Sequence, residues 1–291
     1  MISTIQNEKL TVKVSDAGAE LQSILGADGT EYLWQGDPAV WSGHGPNIFP
    51  YVARLTEGKY TLGGRVYEMK IHGLVKYSTL TVEESSGTEV TFRLDSSEET
   101  KKSYPADFIY RITYALEDSR LLVTLRVDNR GLDPMFFGIG GHPGFNVPLD
   151  EGLSFEDYFL EFAHECHPTR IGFTGDCFLD DENAVWPLQG NRRIPLCHSL
   201  FDSDAVVLEH VDHEVTIRSE KGKHAVTVSF PDFRYVGFWH AVKKEAPYVC
   251  IEPWSSLPSR KGIVEDFAQQ SDLVRLEAGQ QYVNRWTMSF E

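Results

Sequence analysis

The stretch YRITYALEDSRLLVTLRV, Tyr110 to Val127, alternates apolar and polar side chains on both sides of a polar break at Glu117 to Ser119. A period of two sends successive side chains to opposite faces of an extended chain, so this is the pattern of two half-buried strands joined by a tight turn. LTVEESSGTEVTFRL, Leu80 to Leu94, repeats it with a turn near Ser85 to Thr88. YTLGGRVYEM, Tyr60 to Met69, turns at Gly63-Gly64, where glycine supplies the positive φ of a two-residue hairpin without steric cost. AVVLEHVDHEVTIRS, HAVTVSF and the C-terminal YVNRWTMSF continue the pattern. Helical periodicity is confined to short pieces, Ser97 to Lys102 and Val264 to Ala268, each long enough for a turn or two. Strands at close spacing without alternating helices predict an all-β fold, an antiparallel sandwich or barrel rather than a parallel α/β sheet. No Pro/Ser-rich linker, low-complexity tract or short repeat divides the chain, which predicts one domain over residues 1–291.

Composition narrows the function. The 291 residues carry a formal charge of −16, with 43 acidic against 27 basic side chains. Binding by phosphate neutralisation needs a surplus of Lys and Arg, so nucleic acid and anionic membrane surfaces are poor partners. MISTIQNEKLTVKVSD at the N-terminus lacks a basic segment followed by a long apolar run, and no window approaches the roughly 18 apolar residues of a membrane helix. A cytoplasmic protein is expected. The four cysteines, Cys166, Cys177, Cys197 and Cys250, show no C-x-x-C spacing, so reduced and mostly buried thiols are the expectation.

Several stretches concentrate chemistry. GIGGHPG, Gly138 to Gly144, looks like a dinucleotide loop, but the third glycine of G-x-G-x-x-G is Pro143 and FNVPL follows where a helix is required. His142 in that stretch either satisfies a loop carbonyl or serves as acid or base at the rim of a sheet. In MKIHGLVKYS, His72 follows a strand-like run and precedes Gly73, and in PNIFPYVARLTEGKY Arg54 stands before a turn at Glu57-Gly58. Arg54 offers a fork of donors for hydroxyls or carboxylates, or a surface pair for Glu57. In YVCIEPWSSLPSR, Glu252 interrupts an apolar run. A carboxylate there is desolvated, which raises its pKa and makes it a stronger proton acceptor once ionised, unless it merely pairs with an arginine. Trp254 supplies an aromatic face for sugar C–H groups. In SLFDSDAVVLEH, Asp202 and Asp204 either form a turn before a strand or accept hydrogen bonds from hydroxyls. The clusters HECH, at His164 to His167, and EHVDHE, at Glu209 to Glu214, invite a metal reading, but neighbouring strand positions point to opposite faces and do not converge.

Taken in order, the arginine of N-I-F-P-x-x-x-R, the histidine before glycine, H-P-G-F-N, F-D and C-I-E-P-W resemble the aldose 1-epimerase (galactose mutarotase) superfamily, and within it the LacX-like branch. The resemblance spans nearly the whole chain. It implies a large antiparallel β-sandwich, a small-molecule sugar substrate in carbohydrate (galactose) metabolism, and isomerase chemistry without metal or organic cofactor. By position it places the family's acid on His142 and its base on Glu252. It puts sugar binding on Arg54, His72 and Asp202, with Asp204 the second register, and Trp254 joins as the aromatic platform. Where relatives carry T-H-x-Y-F-N, this chain has G-H-P-G-F-N, and a different segment, E-P-W-S-S-L-P-S-R, follows the glutamate. These departures bear on sugar identity. Three other readings stand beside the mutarotase: a glycoside hydrolase using Asp202 with Glu252, a sugar binder without catalysis, and a hexose 6-phosphate mutarotase with Arg260 and Lys261 meeting the phosphate.

Overall fold

The computed structural model describes residues 1–291 and is nearly all strand, 44% against 7% helix. Its longest hairpin is the one the alternation predicts. Strands Phe108–Glu117 and Arg120–Asn129 pair antiparallel, with Val127 opposite Tyr110, Leu125 opposite Ile112, Val123 opposite Tyr114 and Leu121 opposite Leu116. These eight side chains are buried. Each such burial is worth about 1.5–3 kcal/mol relative to an exposed position, so the register is fixed by its inward face.

Around this hairpin a nine-stranded antiparallel sheet runs in the order 193–195, 158–162, 214–219, 226–229, 281–290, 120–129, 108–117, 89–95 and 81–85. A second, eight-stranded sheet contains Val206–Glu209, Tyr235–Trp239, Tyr248–Trp254, Gly140–Gly141 and Asn47–Ile48, with Gly144–Asn146 pairing beside Gly140–Gly141 on the same strand. All the strand pairs are antiparallel, as a β-sandwich of hairpins requires. A contiguous cluster of 59 buried residues, from Ile5 to Phe290, fills the core.

The helical expectations divide. Ser97 caps the short helix Glu98–Ser103, accepting from the Thr100 N–H at 3.2 Å in a capping box. At Val264 to Ala268 there is no helix. The Asp266 carboxylate accepts from the Ala268 N–H at 2.9 Å and closes an isolated turn, leaving no ladder to propagate. No helix is long and apolar enough to cross a membrane. All four cysteines are free, with Cys177 and Cys250 buried, Cys166 half-buried and Cys197 exposed.

Candidate active site

The eight-stranded sheet supplies the floor of a cavity of about 300 Å³. Strand Tyr248–Trp254 is buried along its whole length. Alternation puts Cys250, Glu252 and Trp254 on one face, and each stands opposite a glycine on a neighbouring strand: Gly144, Gly237 and Gly140. A Cβ on Gly140 would lie 2.6 Å from the Pro253 carbonyl oxygen, so the strand carrying the glutamate and the chain leading to His142 approach as closely as they do only without a side chain there. His142 follows directly, in the break between the short strands Gly140–Gly141 and Gly144–Asn146.

His72 also lines the cavity and stands in the left-handed region, with φ of 64°. The Ala53 N–H donates to its Nδ1 at 3.3 Å, so Nε2 carries the proton and offers a donor. Gly73 is the hinge of this arrangement. Its φ is 80°, and an added Cβ would meet the Phe49 carbonyl oxygen at 2.3 Å. Gly73→Ala is therefore expected to cost about 2–5 kcal/mol of folding stability. At Gly63, where a Cβ meets nothing within 4 Å, the same change costs about 1 kcal/mol; denaturant unfolding of both variants checks the contrast.

Of the residues singled out in the sequence, Arg54, His72, His142, Glu252 and Trp254 all line this cavity, and Asp202 does not. Asp202 is exposed at the end of the 3-10 turn His198–Phe201, whereas Asp204, two residues on and with φ of 78°, faces the cavity. The register preferred from sequence is thus corrected by one alternation. Arg54 does not pair with Glu57, whose carboxylate takes Lys59 at 3.3 Å. Arg260 holds Glu265 at 2.9 and 3.0 Å and Lys261 holds Asp176 at 2.9 Å, so neither is free to meet a phosphate, and neither lines the cavity. The histidine-rich clusters do not converge either: His164 pairs with Asp212 at 3.2 Å and His210 meets Thr169 at 3.3 Å.

Eight lining residues carried no signal strong enough to single out, among them Trp41, Lys76, Cys177 and Trp239. Trp41 sits in a Gly-rich loop, and an aromatic among glycines and prolines is the cue that could have found it. It stacks on His142 at 5.2 Å, continuing a series in which Trp34 stacks on Tyr248 at 4.8 Å and Tyr248 on Trp41 at 5.4 Å. Trp239 meets the imidazole edge-on at 5.5 Å. The ring is thereby held against one plane and one edge.

At the centre His142 Nε2 and Glu252 Oε2 lie 3.3 Å apart, and both residues are buried. Burial lowers the histidine to about 3, with the Lys76 cation second. Burial also raises Glu252 well above the carboxylate range, reinforced by the Asp204 charge and opposed by the Trp254 indole N–H and Lys76. A carboxylate beside an imidazole would ordinarily hold it cationic; desolvation outweighs that here and favours the neutral form of both groups. Such a pair can accept a proton at one atom and donate one at the other. Burial likewise lowers His72 well below its ordinary value.

A sequence profile of the aldose 1-epimerase family matches residues 1–282. Protein LacX (plasmid) of Lactococcus lactis subsp. lactis is 33% identical over 290 residues, covering 95% of this chain and 96% of that one. A galactose mutarotase related enzyme from Lactobacillus acidophilus superimposes with a TM-score of 0.96 at 34% identity, covering 100% of this chain and 97% of its own. A galactose mutarotase-like protein from Lactobacillus casei ATCC 334 gives 0.93 at 31% identity, with both chains covered completely. The chain belongs to the aldose 1-epimerase family.

Proposed function

We propose that the protein is a mutarotase that interconverts the α and β anomers of an aldose, with Glu252 as base and His142 as acid. The observation that carries this reading is the buried His142–Glu252 pair, 3.3 Å apart on the wall of a sugar-sized cavity. Anomer exchange moves one proton off the C1 hydroxyl and one onto the ring oxygen, two atoms bonded to the same carbon, so adjacent acid and base suffice. With sugar bound, its hydroxyls replace the missing water around the pair, and the carboxyl proton of Glu252 passes to His142. Glu252 carboxylate takes the C1 hydroxyl proton, the ring C–O bond breaks, and His142 protonates the ring oxygen. This leaves Glu252 and His142 both neutral, the state burial already favours. After rotation about C1–C2 the two steps run in reverse on the other face. His72 Nε2–H, Arg54 and Asp204 orient the hydroxyls, and Trp254 packs against C–H groups. Polarimetry on freshly dissolved α-D-glucose and α-D-galactose tests the reading; equilibration faster than buffer alone supports it.

A phosphorylated aldose is the second reading, and one feature favours it. Arg54 and Lys76 both line the cavity, neither makes a salt bridge, and Lys76 is sufficiently buried that its pKa is lowered. Two unpaired cations in a chain of charge −16 suit an anionic substituent. A charge-assisted contact is worth about 1.5–3 kcal/mol. Lys76→Met is accordingly expected to lower kcat/KM for an aldose 6-phosphate, relative to the free aldose, by about 10- to 100-fold. An unchanged ratio removes Lys76 from substrate selection.

A further inference from the structure

Behind the acid–base pair lies a third donor that the mechanism does not use. Cys250 is fully buried, free, and two residues before Glu252 on the same strand face. A ligand atom from each of His142, Cys250 and Glu252 lies within 4.8 Å of the other two. We infer that these three residues form a binding site for a thiophilic divalent cation of the zinc class, which switches off the mutarotase reaction proposed above by occupying the lone pairs of both catalytic groups. The inhibitory part of this inference rests on that functional reading; the site itself does not.

Three observations support it. Nitrogen and oxygen ligands held about 2.0–2.1 Å from a tetrahedral ion stand about 3.3 Å apart, which matches the His142 Nε2 to Glu252 Oε2 spacing of 3.3 Å. That contact is not a hydrogen bond, because Glu252 Oε2, in a residue 1% exposed, has no hydrogen-bond partner and neither does His142 Nδ1. An orphaned buried carboxylate oxygen facing an imidazole nitrogen is the arrangement a cation completes. Finally, Gly144, which stands opposite Cys250, presents no side chain of its own to the thiol, and the cysteine Sγ lies within 4.8 Å of the His142 and Glu252 ligand atoms.

The charges balance as the site fills. The thiol proton and the Glu252 carboxyl proton leave to solvent, and a 2+ ion then sits among one thiolate, one carboxylate and one neutral imidazole. The resulting centre is neutral, the condition for burying an ion at low cost. Thiolate with imidazole selects zinc-like ions over magnesium or calcium, which prefer oxygen.

Cadmium is the spectroscopic probe, because its bond to thiolate absorbs in the ultraviolet, and zinc is the inhibitor. One cadmium-thiolate band per chain is expected in the wild type and in Cys197→Ser, which removes the exposed thiol, and none in Cys250→Ala. Zinc is expected to slow anomer exchange, EDTA to restore it, and Cys250→Ala to raise the inhibitory zinc concentration at least about 10- to 100-fold. His142→Gln, which leaves the core intact, is expected to weaken cadmium binding by a similar factor. A band that survives in Cys250→Ala, or zinc that leaves an active enzyme unaffected, overturns the inference. A Cys250-dependent band in a protein that exchanges no anomer would instead sustain the site and refute the mutarotase reading.

Discussion

Replacing Glu252 with glutamine is expected to lower the catalysed rate of anomer exchange by about 10²- to 10⁴-fold, the range for loss of a positioned acid or base, while leaving the folded protein at least as stable as the wild type. Both halves follow from the same burial. Glu252 is 1% exposed and its pKa is raised well above the usual carboxylate range. Glutamine reproduces the shape of the neutral acid but cannot take the C1 proton. The stability effect has a definite sign. A carboxyl with a raised folded pKa binds its proton more tightly folded than unfolded, so wild-type stability falls as pH rises from the ordinary Glu value toward the raised one. His142, with a lowered folded pKa, contributes the opposite slope below about pH 6.5 and none above it. Denaturant unfolding at neutral and mildly alkaline pH therefore isolates Glu252: the glutamine variant should gain on the wild type as pH increases. A variant less stable throughout, or one with undiminished activity, contradicts the assignment.

Removal of the imidazole in His142→Ala is expected to cost a similar 10²- to 10⁴-fold, and part of the loss should be recovered with added imidazole, since the vacated space opens on the cavity. The pH profile of the wild type carries further information. Burial lowers His142 to about 3 and raises Glu252 well above the usual carboxylate range, so neither member titrates at its ordinary value. kcat/KM for the free enzyme should then show no inflection near 6.5, the value for an ordinary histidine, and should fall only where the pair gains a second proton or loses its one. An inflection near 6.5 that disappears in the alanine variant would mean that His142 titrates as a solvated group.

The fold was readable from sequence because its signals are local. Apolar alternation through Tyr110 to Val127 and glycines at Gly63-Gly64 depend only on near neighbours, and the register follows from them. The piece misread as helical, Val264 to Ala268, is one where an Asp side chain captures the backbone within two residues. The site was readable where a residue is anomalous in its own segment, as Glu252 is within VCI and PW, or His142 between glycines. It was not readable where position depends on a turn. Asp202 and Asp204 differ by a left-handed residue, φ of 78°, that carries the second aspartate inward. Lys76 and Trp41 look like ordinary loop residues until distant strands bring them beside His142. The protonation state was also out of reach, because attraction by a carboxylate and loss of water push a histidine in opposite directions and only the depth of burial decides between them.

NMR exchange spectroscopy between α and β anomeric protons, across free aldoses and their 6-phosphates, tests the central claim most directly. With wild-type protein, cross-peaks between anomers should build up faster than in buffer for at least one sugar, and neither Glu252→Gln nor His142→Ala should produce them. Wild-type protein that accelerates exchange for no sugar in the panel, or a Glu252→Gln protein that exchanges as fast as the wild type, would contradict it.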